Sequence, residues 1–270
     1  MTDPEDAPGA LGGIPASFWT EARAAEHRLL SLDYDGTLAP FRTDRHEAVP
    51  FPHSMTTLSK IVRSAGTTVA VVSGRPVEEL DAFLGGLGVM LVGECGWEEM
   101  LSPGVMIAHH VDPWHVAALD HATDSVASRL WSRRLERKRA SVMLHTRGLP
   151  TGEAAKMLEE CESQWLAIAA ASGLRLTRVD GGLELRVPGR DKGTTVEEIL
   201  RRSPARTFPV HIGDDVADEE AFSAIEGRGL GVRIAEPGTP TRARGRLASW
   251  IDIPLFFRRW VDVIERRDAS

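Results

Sequence analysis

The sequence predicts an α/β protein built on a doubly wound parallel sheet, with a smaller α+β unit inserted in mid-chain. Three observations lead there. Short apolar, β-branched runs such as TVAVV at 68–72 recur between helical patterns, as strands buried on both faces require. Each run stops abruptly at a loop of Asp, Ser or Gly. The alternation lapses between Pro103 and Pro188 and then resumes, which divides the chain into a flexible leader (1–15), a core (16–103 and 188–270) and an insert (104–187).

Taken in order, Ala16 to His27 reads as a short helix leading into the strand Leu29 to Leu32, which ends in Asp33-Tyr34-Asp35-Gly36-Thr37. A helix from His53 to Ser64 precedes the TVAVV strand, which ends in Ser73-Gly74-Arg75-Pro76, and Pro76 suits the first turn of another helix. Val89 to Val92 is a third strand, closed by Gly93. Within the insert the pattern gives a helix (113–131), a strand (140–146), a helix (151–172) and strands at 174–179 and 183–187 around the hairpin signal Asp180-Gly181-Gly182. These would form a small sheet with helices on one face. The core resumes with a helix from Lys192 to Arg201, a strand from Phe208 to Ile212 ending in Gly213-Asp214-Asp215, a further helix, a strand from Leu230 to Ile234 and a helix from Pro254 to Arg266.

Composition narrows the function classes. At 270 residues the chain can bury a sizeable core, and its formal charge of -7 argues against a nucleic-acid surface. Cys95 and Cys161 lack metal-type spacing, so a disulfide framework and a zinc site are not indicated and a reducing compartment fits. The N-terminus, MTDPEDAPGALGGIPASF, has neither the basic nor the apolar part of a signal peptide, and the longest apolar stretch, Trp165 to Ala171, is too short to span a bilayer. The expectation is a cytoplasmic protein, monomeric by default, with a small-molecule partner and neither a nucleic acid nor a membrane.

Strand C-termini of a parallel sheet converge on one edge, and there this sequence concentrates groups suited to phosphoryl transfer. Asp33 would attack phosphorus, since a carboxylate is a usable nucleophile; Asp35 would protonate the leaving oxygen and later deprotonate water. Asp214, Asp215 and Asp218 bring further negative charge, which only a cation would let gather around a phosphate; hard oxygen donors select Mg²⁺, held by Asp33, the Asp35 carbonyl and Asp214, with Asp215 and Asp218 behind them. Ser73 and Gly74 would hold phosphoryl oxygens at a helix start, and Lys192 would neutralise charge building on them. Singly, each motif has a plain reading: an Asx turn for DYDGT, an acid-rich helix start for GDDxxD, a solvated lysine for Lys192.

In order and spacing, DYDGT, a strand ending in Ser, a Lys and GDDxxD resemble the four motifs of the haloacid dehalogenase superfamily, whose core is a Rossmann-like sheet, and the insert resembles the cap of its sugar phosphatases. More finely, residues 27–262 are similar to the trehalose-6-phosphate phosphatase family through DYDGTLAPF, VVSGRP, Glu136-Arg137-Lys138, Ser141, His145-Thr146-Arg147, LELRVPGRDKG and GDDxxDEEAF. That resemblance implies that Lys138, Arg147 and Glu184 grip sugar hydroxyls; a further expectation of mechanism is that the insert closes over the core through connections near Pro103 and Pro188. It departs at Cys95, where the family usually has Asn or His, and at Ala217, where it has Thr. The charged run Arg133 to Arg139 also reads as a merely solvated surface. Rival expectations are the same chemistry on sucrose 6-phosphate or a glucosyl- or mannosyl-glycerate phosphate, and a non-catalytic sugar-phosphate-binding module.

Overall fold

The computed structural model describes residues 11–268 except 43, 103, 128–130 and 180. The chain divides into two compact units, 1–106 with 192–270, and 107–191. The first opens with α1 (Ala16–Ala24), β1 (Arg28–Leu32), α2 (Pro52–Arg63), β2 (Thr67–Val72), α3 (Val77–Leu84), β3 (Met90–Gly93) and β4 (Glu98–Ser102), and β5 (Val105–Ala108) runs into the second. The second comprises α4 (Pro113–Ala127), β6 (Leu135–Arg137), β7 (Ser141–His145), α5 (Thr151–Ser172), β8 (Arg175–Val179) and β9 (Gly182–Arg186). The chain then completes the first unit with α6 (Lys192–Arg202), β10 (Phe208–Gly213), α7 (Asp218–Ala224), β11 (Leu230–Ile234), β12 (Gly245–Leu247) and α8 (Ile253–Asp268).

The large sheet has eight strands in the order β12-β11-β10-β1-β2-β3-β4-β5. Its pairs are parallel from β12 through β3, and β4 joins β3 antiparallel. Side chains of a strand alternate between faces, and here both faces are covered. Leu30 and Leu32 enter a core with Phe18, Leu58, Leu80, Phe256 and Trp260 from α1, α2, α3 and α8. Leu29, with Ala70, Val72 and Val92, enters a second core with Val196 and Ile199 of α6 and Ala221 of α7. This double cover explains why the strands read as unbroken apolar runs, and it establishes the doubly wound α/β architecture.

The second unit is a four-stranded antiparallel sheet, β6-β7-β9-β8. α4 lies against β6 and β7, α5 lies against β8 and β9, and the two helices pack on each other. Val142, Leu144, Leu183, Leu185 and Trp165 are fully buried, and the Trp165 indole donates to the Ala122 carbonyl at 3.1 Å.

Several elements differ from the sequence expectation. Residues 1–10 of the leader lie outside the described residues, but its last five are tied down: the Arg246 N–H donates to the Gly13 carbonyl at 2.9 Å and Ile14 is buried in the core. The short strands β4, β5, β6 and β12 carry no apolar alternation long enough to be read; partner strands supply what their composition lacks. β6 lies within the charged run, and the Glu136 and Lys138 side chains there are only 14% and 11% exposed, so the run is not simply solvated. Asp180 of the hairpin and Pro103 lie outside the described residues.

Candidate active site

The Asp33 N–H continues the ladder one residue beyond β1 by donating to the Ile212 carbonyl at 2.9 Å, which sets the DYDGT loop beside the end of β10. The loop then folds tightly: the Leu38 and Ala39 N–H groups donate to the Tyr34 carbonyl, and the Tyr34 hydroxyl donates to the Ala48 carbonyl at 2.6 Å. Gly36 has φ +74°, and a Cβ there would come within 2.2 Å of Asp214 Oδ2, so both conformation and space demand glycine. At the other strand end, a Cβ on Gly213 would sit 2.0 Å from the Asp218 carboxyl carbon.

These turns gather charge in a dry place. Lys192, 3% exposed at the start of α6, lies 2.8 Å from Asp33 Oδ1 and 2.7 Å from Asp218 Oδ1. Asp218 also accepts from the Asp215 N–H, and its Oδ1 lies 2.9 Å from His211 Nε2. Burial pushes Asp33 and Asp214 above the ordinary carboxylate range; at Asp33 Lys192 opposes the shift and Asp218 adds to it, while at Asp214 the charges of Asp33 and Asp218 both add. Burial works in the same direction at Asp218, yet Lys192 and His211 together hold that carboxyl well below the ordinary range. Lys192 is correspondingly held well above the ordinary lysine range, because the two carboxylates outweigh its burial.

This cluster fits a divalent cation. Asp33, Asp214 and Asp218 each offer an oxygen within 4.8 Å of the others. Asp218 is committed to Lys192, His211 and the Asp215 N–H, which leaves Asp33 and Asp214 as donors. Burial is the first cause of the upward push on both, with neighbouring carboxylates adding to it; a cation there would offset that cost, and all-oxygen donors suit a hard ion.

Asp35 is held differently. Arg75, 4% exposed, grips it with two parallel bonds, Nε to Oδ2 at 2.6 Å and Nη2 to Oδ1 at 2.7 Å. The same guanidinium donates to the Arg45 carbonyl and lies 4.9 Å from the Tyr34 ring centroid. Ser73 immediately follows β2, the neighbour of β1, is 2% exposed, and its hydroxyl accepts from the Arg75 N–H at 3.3 Å. Gly74 follows in the same loop. Asp215 serves the turn, accepting from the Val216 N–H through its side chain and from the Asp218 N–H through its carbonyl.

In the second unit, strand register puts Glu136, Met143, Glu184 and Thr177 in one row across the sheet. By alternation that row faces away from the side carrying Val142, Leu144, Leu183 and Leu185. Glu136 is hydrogen-bonded with His145 Nε2 at 2.8 Å and forms a looser ion pair with Lys138, whose Nζ lies 3.6 Å away. Arg147 follows β7 and packs over Gly181, where a Cβ would lie 2.6 Å from its Nε.

Two well-placed residues went unassigned by the sequence reading, Arg75 and His211. Their signal was present: Arg75 follows a strand-end Ser-Gly, and His211 interrupts an apolar strand, where a polar side chain must find partners.

The chain is similar to proteins of known description. A bifunctional trehalose-6-phosphate synthase/phosphatase of Thermoproteus tenax is 35% identical over 84% of this chain and 31% of its own length. A trehalose-phosphate phosphatase of Mycolicibacterium paratuberculosis is 30% identical over the whole of this chain and 70% of its own. The chain thus spans about a third of the first relative and somewhat over two thirds of the second. The structure of the C. albicans trehalose-6-phosphate phosphatase C-terminal domain shares the fold, with a TM-score of 0.81 at 18% identity, over 93% of this chain and 96% of that one. The sequence model of the trehalose-phosphatase family matches residues 31–245. The chain belongs to the trehalose-phosphatase family.

Proposed function

We propose that the protein hydrolyses trehalose 6-phosphate to trehalose and phosphate, with Asp33 as the nucleophile and Mg²⁺ as the cofactor. The observation that carries this reading is the buried Asp33–Lys192–Asp218 chain beside Asp214 at the strand ends, in a chain of this family. An Asp33 oxygen attacks phosphorus, and the bond from phosphorus to the sugar oxygen breaks. The leaving oxygen takes a proton from Asp35. Asp35 then accepts a proton from water, whose oxygen attacks phosphorus, breaks the bond to Asp33 and releases phosphate. General acid help of this kind contributes roughly 10²- to 10⁴-fold.

With Asp33, Asp214 and the Asp35 carbonyl as its holders, the cation would neutralise phosphoryl charge and let the carboxylates ionise together. Lys192 supplies a second fixed positive charge, and the Ser73-Gly74 turn supplies donors for phosphoryl oxygens. Both Asp35 oxygens accept from Arg75, which fixes the carboxyl group and leaves a lone pair on each oxygen. Lys138, Arg147 and Glu184 are the proposed sugar-recognising groups, because a disaccharide offers hydroxyls and no charge beyond its phosphate.

Among the described residues no helix is long and apolar enough to cross a membrane. The test is phosphate release, with Mg²⁺ and with EDTA, from trehalose 6-phosphate, sucrose 6-phosphate, glucose 6-phosphate and glucosylglycerate phosphate. Magnesium-dependent preference for the first supports the reading. Preference for another sugar keeps the chemistry and discards the recognition set, and silence across the panel sinks both.

A further inference from the structure

β1 and β10 are central strands buried on both faces, and within them two polar side chains stand directly opposite each other, Ser31 and His211, both with no exposed surface. Such a pair is costly in an apolar sheet unless every polar atom is met. Here each one is: His211 Nδ1 lies 2.9 Å from Ser31 Oγ, and Nε2 lies 2.9 Å from Asp218 Oδ1. We infer that His211 is a positioning residue for phosphoryl transfer, holding Asp218 so that Lys192 is aimed at Asp33, with Ser31 fixing the imidazole that does so.

Hydrogen-bond chemistry sets the direction of each bond. Ionised Asp218 only accepts, so Nε2 must carry the proton. Burial favours the neutral ring, so Nδ1 accepts and the Ser31 hydroxyl donates. The result is a chain of directed bonds in which Ser31 donates to His211, His211 donates to Asp218, and Lys192 donates to both Asp218 and Asp33, with no link longer than 2.9 Å. Asp218 Oδ1 thereby has two donors at right of way, an imidazole from the sheet and an ammonium from α6, while Oδ2 is taken by the Asp215 N–H. Remove the imidazole and that carboxylate loses its anchor on the sheet side. Lys192 then loses the fixed partner that keeps its ammonium beside Asp33. Binding of the sugar is untouched by this chain, so the effect falls on turnover.

This inference rests on the phosphatase reading, and the experiment separates the two. Phosphate release is measured for wild type, His211→Phe, which keeps ring volume without either nitrogen, His211→Gln, which keeps a donor near Nε2, and Ser31→Ala. The expectation is a fall in kcat of roughly 10- to 100-fold for His211→Phe, KM within about twofold, recovery of most of the loss in His211→Gln, and a several-fold loss in Ser31→Ala. A purely space-filling His211 would instead lower thermal stability and leave kcat per folded molecule unchanged, which overturns the inference. If His211→Phe does not fold, an unchanged kcat in Ser31→Ala together with a fully impaired His211→Gln does the same. A silent wild type overturns the phosphatase reading as well. Independently of activity, ¹⁵N spectra of the metal-free protein should show one of the nine histidines, absent from His211→Gln, fixed in the Nε2–H form; mixed tautomers or a protonated ring contradict the directed chain.

Discussion

The two units hold some of their ion pairs differently. In the first, Lys192 and Asp218 are 3% and 0% exposed and bonded at 2.7 Å, and Arg75 closes on Asp35 with two short parallel bonds. In the second, Lys138 reaches Glu136 only at 3.6 Å, and the Arg178–Glu162 pair is 57% and 29% exposed. Buried pairs hold fixed directions because an unpaired charge there is so costly, whereas partly wet pairs leave side chains free to re-aim at modest cost. Chemistry on phosphorus needs the first arrangement. Under the proposed reading, recognition of hydroxyls falls to the second arrangement, and substrate preference is then the part of this protein most open to change by substitution.

The sharpest way to break the contrast is at Asp33. Asp33→Asn removes the proposed nucleophile and should cost at least about 10³-fold in kcat while leaving substrate binding measurable; turnover near wild type would dismiss the reaction scheme. Chelation is next: EDTA should abolish phosphate release, with recovery on adding Mg²⁺ back, and activity that persists through exhaustive chelation would remove the cation from the scheme.

Arg75→Met tests whether the buried pairs also hold the fold. Leaving Asp35 with no guanidinium should cost roughly 3 kcal/mol in urea unfolding, the scale for breaking one side of a buried pair, since the two side chains are 5% and 24% exposed. An unchanged midpoint would mean that the pair is replaceable by water. In the second unit, Glu184→Gln and Lys138→Met should raise KM for trehalose 6-phosphate by about tenfold each, the scale of one lost polar contact, and spare hydrolysis of a small aryl phosphate. If both substrates suffer alike, the recognition role is misplaced. Smallest of all, Arg178→Gln should leave the thermal midpoint unchanged at neutral pH, because that pair lies in water; a clear drop would show that exposed pairs matter here too.

How much could be read in advance depended on whether a residue's role is local. The parallel strands were legible because burial on both faces forces unbroken apolar runs, and the DYDGT and GDDxxD turns were legible because tight loops at strand ends need Gly and Asp in sequence neighbours. β6 was not, since three residues of a charged run become a strand only when β7 lies beside them. Nor was the grip of Arg75 on Asp35, forty positions away in the chain, or the meeting of Ser31 with His211, which are 180 apart.

The sequence by itself determined the sheet class, the inserted unit and the identity of the acidic and basic groups at the strand ends, because those follow from periodicity and from short spacings along the chain. Only the tertiary structure decided which charges pair: that Lys192 bridges Asp33 and Asp218, that Asp218 also meets His211, and that Asp35 rests on Arg75. Pairing depends on distances of 2.6 to 2.9 Å between distant parts of the chain, and those distances are set by strand order and register, which no local pattern encodes.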